Sequence, residues 1–173
     1  MRLDKLTEKS RDALQSAQDL AEKWTHGEIQ PEHIGVALLD QADSVVAPLL
    51  QATGVDPTRV KQDFQRELAR FPRVEGDVQL GLSRRTQKLL RGAQQEADAL
   101  KDDYLSTEHL LLAMAADENG MGTILRKAGA DRDRLSGALA KVRGNRPVTD
   151  PTPEAKQRSL EKYCRDLTEL ARK

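Results

Sequence analysis

The sequence predicts an all-α fold in which two four-helix repeats, related by a pseudo-twofold axis, form one domain that is followed by a linker and a C-terminal helix. The main observation is an internal repeat, because Glu32-His33 recurs as Glu108-His109 at an offset of 76 residues (109 − 33). The same offset aligns, without a gap, Leu6 with Leu82, Leu14 with Leu90 and Ala37 with Ala113. No stretch alternates convincingly between apolar and polar residues, so no strand is predicted. A long repeat present only twice favours two small units packed face to face over an open solenoid.

The first helix of each repeat is predicted from an N-cap residue followed by an apolar stripe. Thr7 and Ser83 suit the N-cap because their hydroxyl oxygens can accept a backbone N–H of the first turn. Apolar residues then recur at intervals of three and four, which places them on one face of a helix. They are Ala13, Leu14, Ala17, Leu20, Ala21 and Trp24 in the first copy and Leu89, Leu90, Ala93, Ala97 and Leu100 in the second. Trp24 is therefore predicted to belong to the core.

The other helices are located by their ends. The second helix is predicted to begin at Pro31 in the first copy, because proline at the first helical position loses no hydrogen bond, and after Ser106 in the second. The third helices are short and end at glycines that can adopt a left-handed backbone, and the fourth begin after aspartates. These residues are Gly54 and Asp56 in the first copy and Gly129 and Asp131 in the second.

The repeat also predicts the domain boundaries. Residues 1–143 form the duplicated domain, with copies at about 6–70 and 82–143 and an ordered connection between them in which Phe71, Val74 and Leu80 pack down. Residues 144–153 contain three prolines and little to bury, which predicts an exposed, flexible linker. Within 154–173 an apolar stripe at helical spacing predicts a separate helix.

Composition excludes several classes of protein. Lys+Arg and Asp+Glu number 28 each and aromatic residues make up 3%, so neither the basic surface nor the rings of a nucleic-acid-binding protein are present. No apolar run approaches the length of a membrane span and no signal peptide is recognisable. The single cysteine, Cys164, excludes an internal disulfide and suits a reducing compartment, so a cytoplasmic location is expected.

Three segments carry a resemblance to a known family. They are MRLDKLT at the start, LARFPRVEG at 68–76 and LEKYCRDLTELA at 160–171. Together with the duplicated unit they resemble the amino-terminal region of bacterial ClpB-type AAA+ protein disaggregases, over the whole chain. Cys164 departs from the family, which usually has glycine there.

The resemblance implies a part of a chaperone. Proteins of this type use ATP and Mg in a hexamer with two AAA+ rings and thread aggregated protein through the pore with the DnaK chaperone system. Because no glycine here is followed by lysine, the chain has no phosphate loop, so no enzyme activity and no cofactor are expected in this fragment. Residues 154–173 would begin the first nucleotide-binding domain. The fragment itself would engage unfolded or aggregated polypeptide and deliver it to the motor; the alternative is the adaptor-docking domain of a ClpP-linked unfoldase.

Three residues are candidates for contact with substrate. By resemblance, the family's substrate site maps to Thr7, Asp102 and Glu108, which would edge a shallow apolar groove between the repeats. From the sequence alone, Thr7 is an N-cap and the two acids form a solvated helix boundary, and these interpretations remain open beside the functional one.

Catalytic and metal chemistry have little support in the sequence. His33 and His109 occupy equivalent positions and could hold a metal, but they lack the partner ligands of known sites, so capping and packing are favoured. Cys164 has no base partner. Asp102 and Asp103 are neighbours in sequence and do not face one another across a substrate. No enzyme active site is predicted.

Overall fold

A computed structural model describes residues 3–118, 120–144 and 146–153, and this part of the chain contains eight α-helices. The first half holds α1 (Glu8–Lys23), α2 (Pro31–Asp40), α3 (Val46–Ala52) and α4 (Pro57–Ala69). The second half holds α5 (Arg84–Ala99), α6 (Thr107–Ala116), α7 (Met121–Ala128) and α8 (Arg132–Arg143). The all-α prediction with four helices in each repeat is confirmed.

Two very short strands were not predicted, because two residues are too few to show alternation. β1 (Glu28–Ile29) and β2 (Gly81–Leu82) pair in parallel, and each comes from a different half. The residues brought together in this way are Ile29 with Leu82, and Leu105 with Leu6. At the 76-residue offset these two pairs are equivalent, so each half gives the other the same pairing, as in an isologous twofold interface.

The helix contacts within and between the halves show the same twofold equivalence. Within each half the second helix packs between the first and the fourth, while α3 contacts α8 and α4 contacts α7 across the molecule. Because α2 and α6 are covered from several sides, they are apolar around most of their circumference. Phe64 is among the largest fully buried side chains, whereas Trp24 is half-buried against the edge of this core.

Gly35 on α2 is packed tightly against side chains from both halves. A Cβ added there would lie 2.6 Å from Met121 Cε and 2.8 Å from ring carbons of Phe64. Since the buried ring has little room to move, we expect Gly35→Ala to lower the free energy of unfolding by about 1–3 kcal/mol in urea denaturation. Gly92→Ala is the matched control, because its Cβ would meet Ala113 Cβ at 3.5 Å and alanine favours a helix interior by about 0.5–1 kcal/mol. A Gly35→Ala protein as stable as Gly92→Ala would contradict the close packing.

The segments outside the helices depart from the sequence-based predictions at two points. In the connection between the halves Phe71 and Leu80 pack against the core as expected, but Val74 is 36% exposed. In the predicted exposed linker, Val148 is only 4% exposed, so that prediction is wrong at this residue. The helix predicted within 154–173, with Cys164, lies outside the described residues.

Candidate functional site

The three predicted substrate residues are all buried. Thr7, Asp102 and Glu108 are 0%, 8% and 5% exposed, so the interpretation of the two acids as a solvated helix boundary is wrong. Thr7 is the N-cap of α1, as predicted, and its hydroxyl oxygen accepts the N–H of Ser10 at 3.3 Å. Any contact these side chains make with a substrate remains a prediction, and their burial shows that they also hold the fold together.

Arg143 brings the two acidic residues together. Its guanidinium at the end of α8 contacts Asp102 Oδ1 and lies 3.4 Å from Glu108 Oε1. Two carboxylates therefore share one cation in a largely buried place, where an unpaired charge would be costly. Thr7 does not join this cluster, but its N–H donates to the Leu105 carbonyl at 3.0 Å, which places it beside the same turn.

His109 orients Asp102 from the other side. Its Nδ1 accepts the backbone N–H of Ser106 at 2.8 Å, so the proton of the neutral ring is on Nε2, which donates to Asp102 Oδ2 at 2.6 Å. The other oxygen of Asp102 accepts from Arg143 and from the N–H of Val148, the latter at 2.7 Å. Asp102 is thus a buried carboxylate with three donors, and the prediction of a capping and packing role for His109 is confirmed.

The first repeat carries a different arrangement at the equivalent position, where His26 replaces Asp102. The N–H of Gln30 donates to His33 Nδ1 at 2.8 Å, and His33 Nε2 donates to His26 Nδ1, also at 2.8 Å. The backbone of Leu68 also acts on the pKa of His26, in the raising direction. A relay of neutral rings therefore stands where the second repeat has a charged cluster.

The electrostatics of this histidine pair favour the neutral state. Burial, with a smaller contribution from the neighbouring His26, lowers the pKa of His33 from 6.5 to about 4. The pKa of His26 is also lowered, first by burial and then by the positive charge of Arg73. At neutral pH neither ring is charged, which suits a buried position that has no carboxylate partner.

The second repeat contains a serine, a histidine and an aspartate in the order of a catalytic triad. Ser106 Oγ lies 3.2 Å from His109 Nδ1, and His109 contacts Asp102. The ring cannot act as a base toward this serine, because the lone pair of Nδ1 already accepts the Ser106 backbone N–H. Ser106 and His109 are also 0% exposed, so no substrate reaches them.

An open cleft of about 210 Å³ lies next to the charged cluster. Its lining includes Leu100, Leu139, Ala140, Arg143 and Pro147. The sequence-based prediction was a groove between the two repeats, whereas this cleft belongs to the second repeat and the segment that follows it.

None of the helices in the described part of the chain has the length and apolarity that a membrane crossing requires. Among the same described residues no three His, Cys, Asp or Glu side chains meet in a group that could hold a metal ion.

Sequence reasoning missed His26, Arg143 and Val148 in these networks. His26 could have been found from the repeat itself, because the 76-residue offset aligns it with Asp102. Arg143 gave no such signal, since it reaches a residue 41 positions away.

Comparison of the sequence with known proteins finds a matching family model and several relatives. Residues 5–128 match the family model of the Clp repeat (R) N-terminal domain. The chain is 41% identical over 167 residues to the chaperone protein ClpB of Mycobacterium tuberculosis (96% of this chain, 20% of the relative). It is 36% identical over 170 residues to that of Rhodopirellula baltica (98% and 19%). The chain thus spans about a fifth of the length of the curated relatives it matches.

Solved structures show the same fold. The Hsp104 N-terminal domain from Candida albicans aligns with a TM-score of 0.74 at 20% identity, covering 84% of this chain and 96% of that one. The N-terminal domain (1-163) of the ClpV1 ATPase from E. coli aligns with a TM-score of 0.71 at 23% identity, covering 88% and 92%. At these identities the likeness concerns the fold alone.

Proposed function

This chain belongs to the Clp repeat N-terminal domain family, and on that premise we propose that it is the substrate-binding regulatory domain of a ClpB-type chaperone. In this function it engages unfolded or aggregated polypeptide and delivers it to an AAA+ motor. The observation that carries the proposal is the identity to ClpB chaperones, which extends over 96% of the chain. The absence of a phosphate loop from the sequence fits a binding domain that does not itself turn over nucleotide.

The surface supplies apolar contacts for such clients. Val74, Val78 and Leu82 are 36%, 43% and 40% exposed and follow one another along the connection between the halves. Contiguous exposed apolar surface commonly marks binding sites, and we propose that these three residues contribute to such a surface. Weak contacts of this kind suit a domain that must hold many unrelated unfolded segments. Thr7, Asp102 and Glu108 are proposed as substrate residues in addition, and because all three are buried, a client could touch them only after the segments that cover them move.

The proposal extends to the parent protein. The rest of a ClpB chain, arranged as a hexamer, would supply the motor, with residues 154–173 leading into its first nucleotide-binding domain. ATP and Mg would act there, the DnaK chaperone system would cooperate with the whole assembly, and the location would be cytoplasmic. Six weak sites in a hexamer would gain affinity through avidity.

The test is binding of chemically unfolded proteins of unrelated sequence to the chain, measured by fluorescence anisotropy. We expect modest affinity for each of them, and Val78→Asp should weaken binding about threefold to tenfold, because a charge replaces apolar contact area. Val142→Asp is the matched control, since Val142 is similarly exposed, at 38%, but belongs to α8 and not to the connection. Saturation by one folded partner at one to one, with no binding of unfolded protein, would contradict the proposal and favour the adaptor-docking alternative.

A further inference from the structure

Residues 146–151, here called the strap, lie against the turn between α5 and α6. The side chain of Val148 is buried, and its N–H donates to Asp102 Oδ1 at 2.7 Å. Its carbonyl accepts the N–H groups of Asp103 at 2.9 Å and Tyr104 at 3.3 Å. The central residue of the strap is therefore held by its own backbone donor and acceptor together with one buried apolar side chain.

Both ends of the strap are also bound through the backbone. The carbonyl of Arg146 accepts Nε of Arg143 at 2.6 Å, and the carbonyl of Pro151 accepts the N–H of Glu8, in the first turn of α1, at 2.8 Å. Recognition of a segment mainly through its main chain, with a pocket for one side chain, tolerates many sequences because every residue has the same backbone groups.

The first repeat fills the equivalent place with the connection between the halves. There the backbones of Arg73 and His26 pair in an isolated antiparallel β-bridge, and the N–H of Val74 donates to the Thr25 carbonyl at 2.8 Å. That segment is fixed by the chain, because it runs on into β2 and α5. The strap lies against the equivalent turn through different hydrogen bonds, and these together with one buried valine hold it in place.

We propose that the surface between residues 101–105 and the first turn of α1, called here the slot, is a docking surface for an extended polypeptide segment with a valine-sized apolar residue at its centre. The strap is its resident occupant, and an incoming client segment displaces it. This inference rests on the proposed function and names the form in which a client binds.

The chemistry of the slot sets what it accepts. Asp102 requires a backbone N–H at the central position, so proline is excluded there, and its negative charge repels an acidic side chain. Glu8 and the pair Asp103 and Tyr104 bind carbonyl groups, which every residue has. Thr7, whose N–H bonds the Leu105 carbonyl, holds the two walls of the slot together.

The test removes the strap from the slot in the full chain and measures what takes its place. Val148→Asp puts a carboxylate beside Asp102 and expels the strap, while Val142→Asp makes the same change on the exposed face of α8. The probe is a fluorescein-labelled peptide with the sequence of residues 144–152. We expect Val148→Asp to bind it at least about tenfold more tightly than the wild type or Val142→Asp, because a tethered strap competes at an effective concentration near the millimolar range.

A second peptide, with proline in place of the central valine, should not bind Val148→Asp. Equal affinity of the three proteins for the first peptide, or equal binding of both peptides, would overturn the inference. Unfolded client protein is then added to each variant. A client that binds Val148→Asp and Val142→Asp alike, and that the first peptide does not displace, overturns the inference while the proposed function stands. A peptide that binds as expected in a protein that holds no unfolded client supports the slot and contradicts the proposed function.

Discussion

Replacement of Asp102 by alanine is expected to lower the free energy of unfolding by about 3–5 kcal/mol, because it removes the acceptor of two buried donors and the nearer of the two carboxylates that pair with a largely buried cation. Those groups are the Arg143 guanidinium, His109 Nε2 and the N–H of Val148. Urea denaturation followed by circular dichroism measures the change directly.

Asp103→Ala is the matched control for this prediction. Asp103 is the next residue in the chain and is exposed, so its truncation should change the stability by no more than about 0.5 kcal/mol. Equal midpoints for the Asp102 and Asp103 variants would show that the buried cluster contributes little. Because Asp102 is buried, a loss of activity in its alanine variant would report unfolding as well as a lost client contact.

Acidification is expected to destabilise the protein through the neutral histidine pair. In the unfolded chain His33 has its ordinary pKa of 6.5, whereas in the folded protein the pKa is about 4, so the unfolded state takes up the proton first. The stability that neutral His33 provides is complete above about pH 6.5 and is lost as the pH falls toward about 4, by at most about 1.4 kcal/mol per pH unit. The lowered pKa of His26 acts in the same direction.

His33→Gln separates this effect from the titration of carboxylates, which both proteins share. Glutamine at this third helical position can still accept the N–H of Gln30, as in a capping box, but it does not titrate. Between about pH 7 and about pH 4.5 the wild type should lose about 1–3 kcal/mol more than the variant in urea denaturation at each pH. Parallel pH profiles would show that His33 does not carry the acid sensitivity.

The features predicted from the sequence were those with a local cause. The N-caps at Thr7, Ser83, Asp56 and Asp131 are all present, because each depends on a side chain and a backbone N–H two or three residues away. The internal repeat predicted the helices and the two equivalent histidines, because each copy carries the same local pattern of residues.

The features that were missed depend on contacts distant in the chain. The burial of Asp102 follows from Arg143 and Val148, which come from the far end of the second half. Val148 itself looked exposed among prolines and polar residues, since nothing local reveals that a distant turn covers it. Predicting these contacts from sequence would have required the arrangement of α5, α6 and α8 in space.

The matched strand pairings give the molecule the form of a homodimer whose two subunits have been joined into one chain. In a true homodimer, any residue placed in one copy also appears in the other, so a relay of neutral histidines and a charged aspartate cluster could not occupy equivalent positions. Fusion removes that constraint. One copy can keep a turn in which two neutral histidines satisfy each other by hydrogen bonding. The other copy can hold a buried charge that binds an additional segment, and the twofold architecture that stabilises both copies is retained.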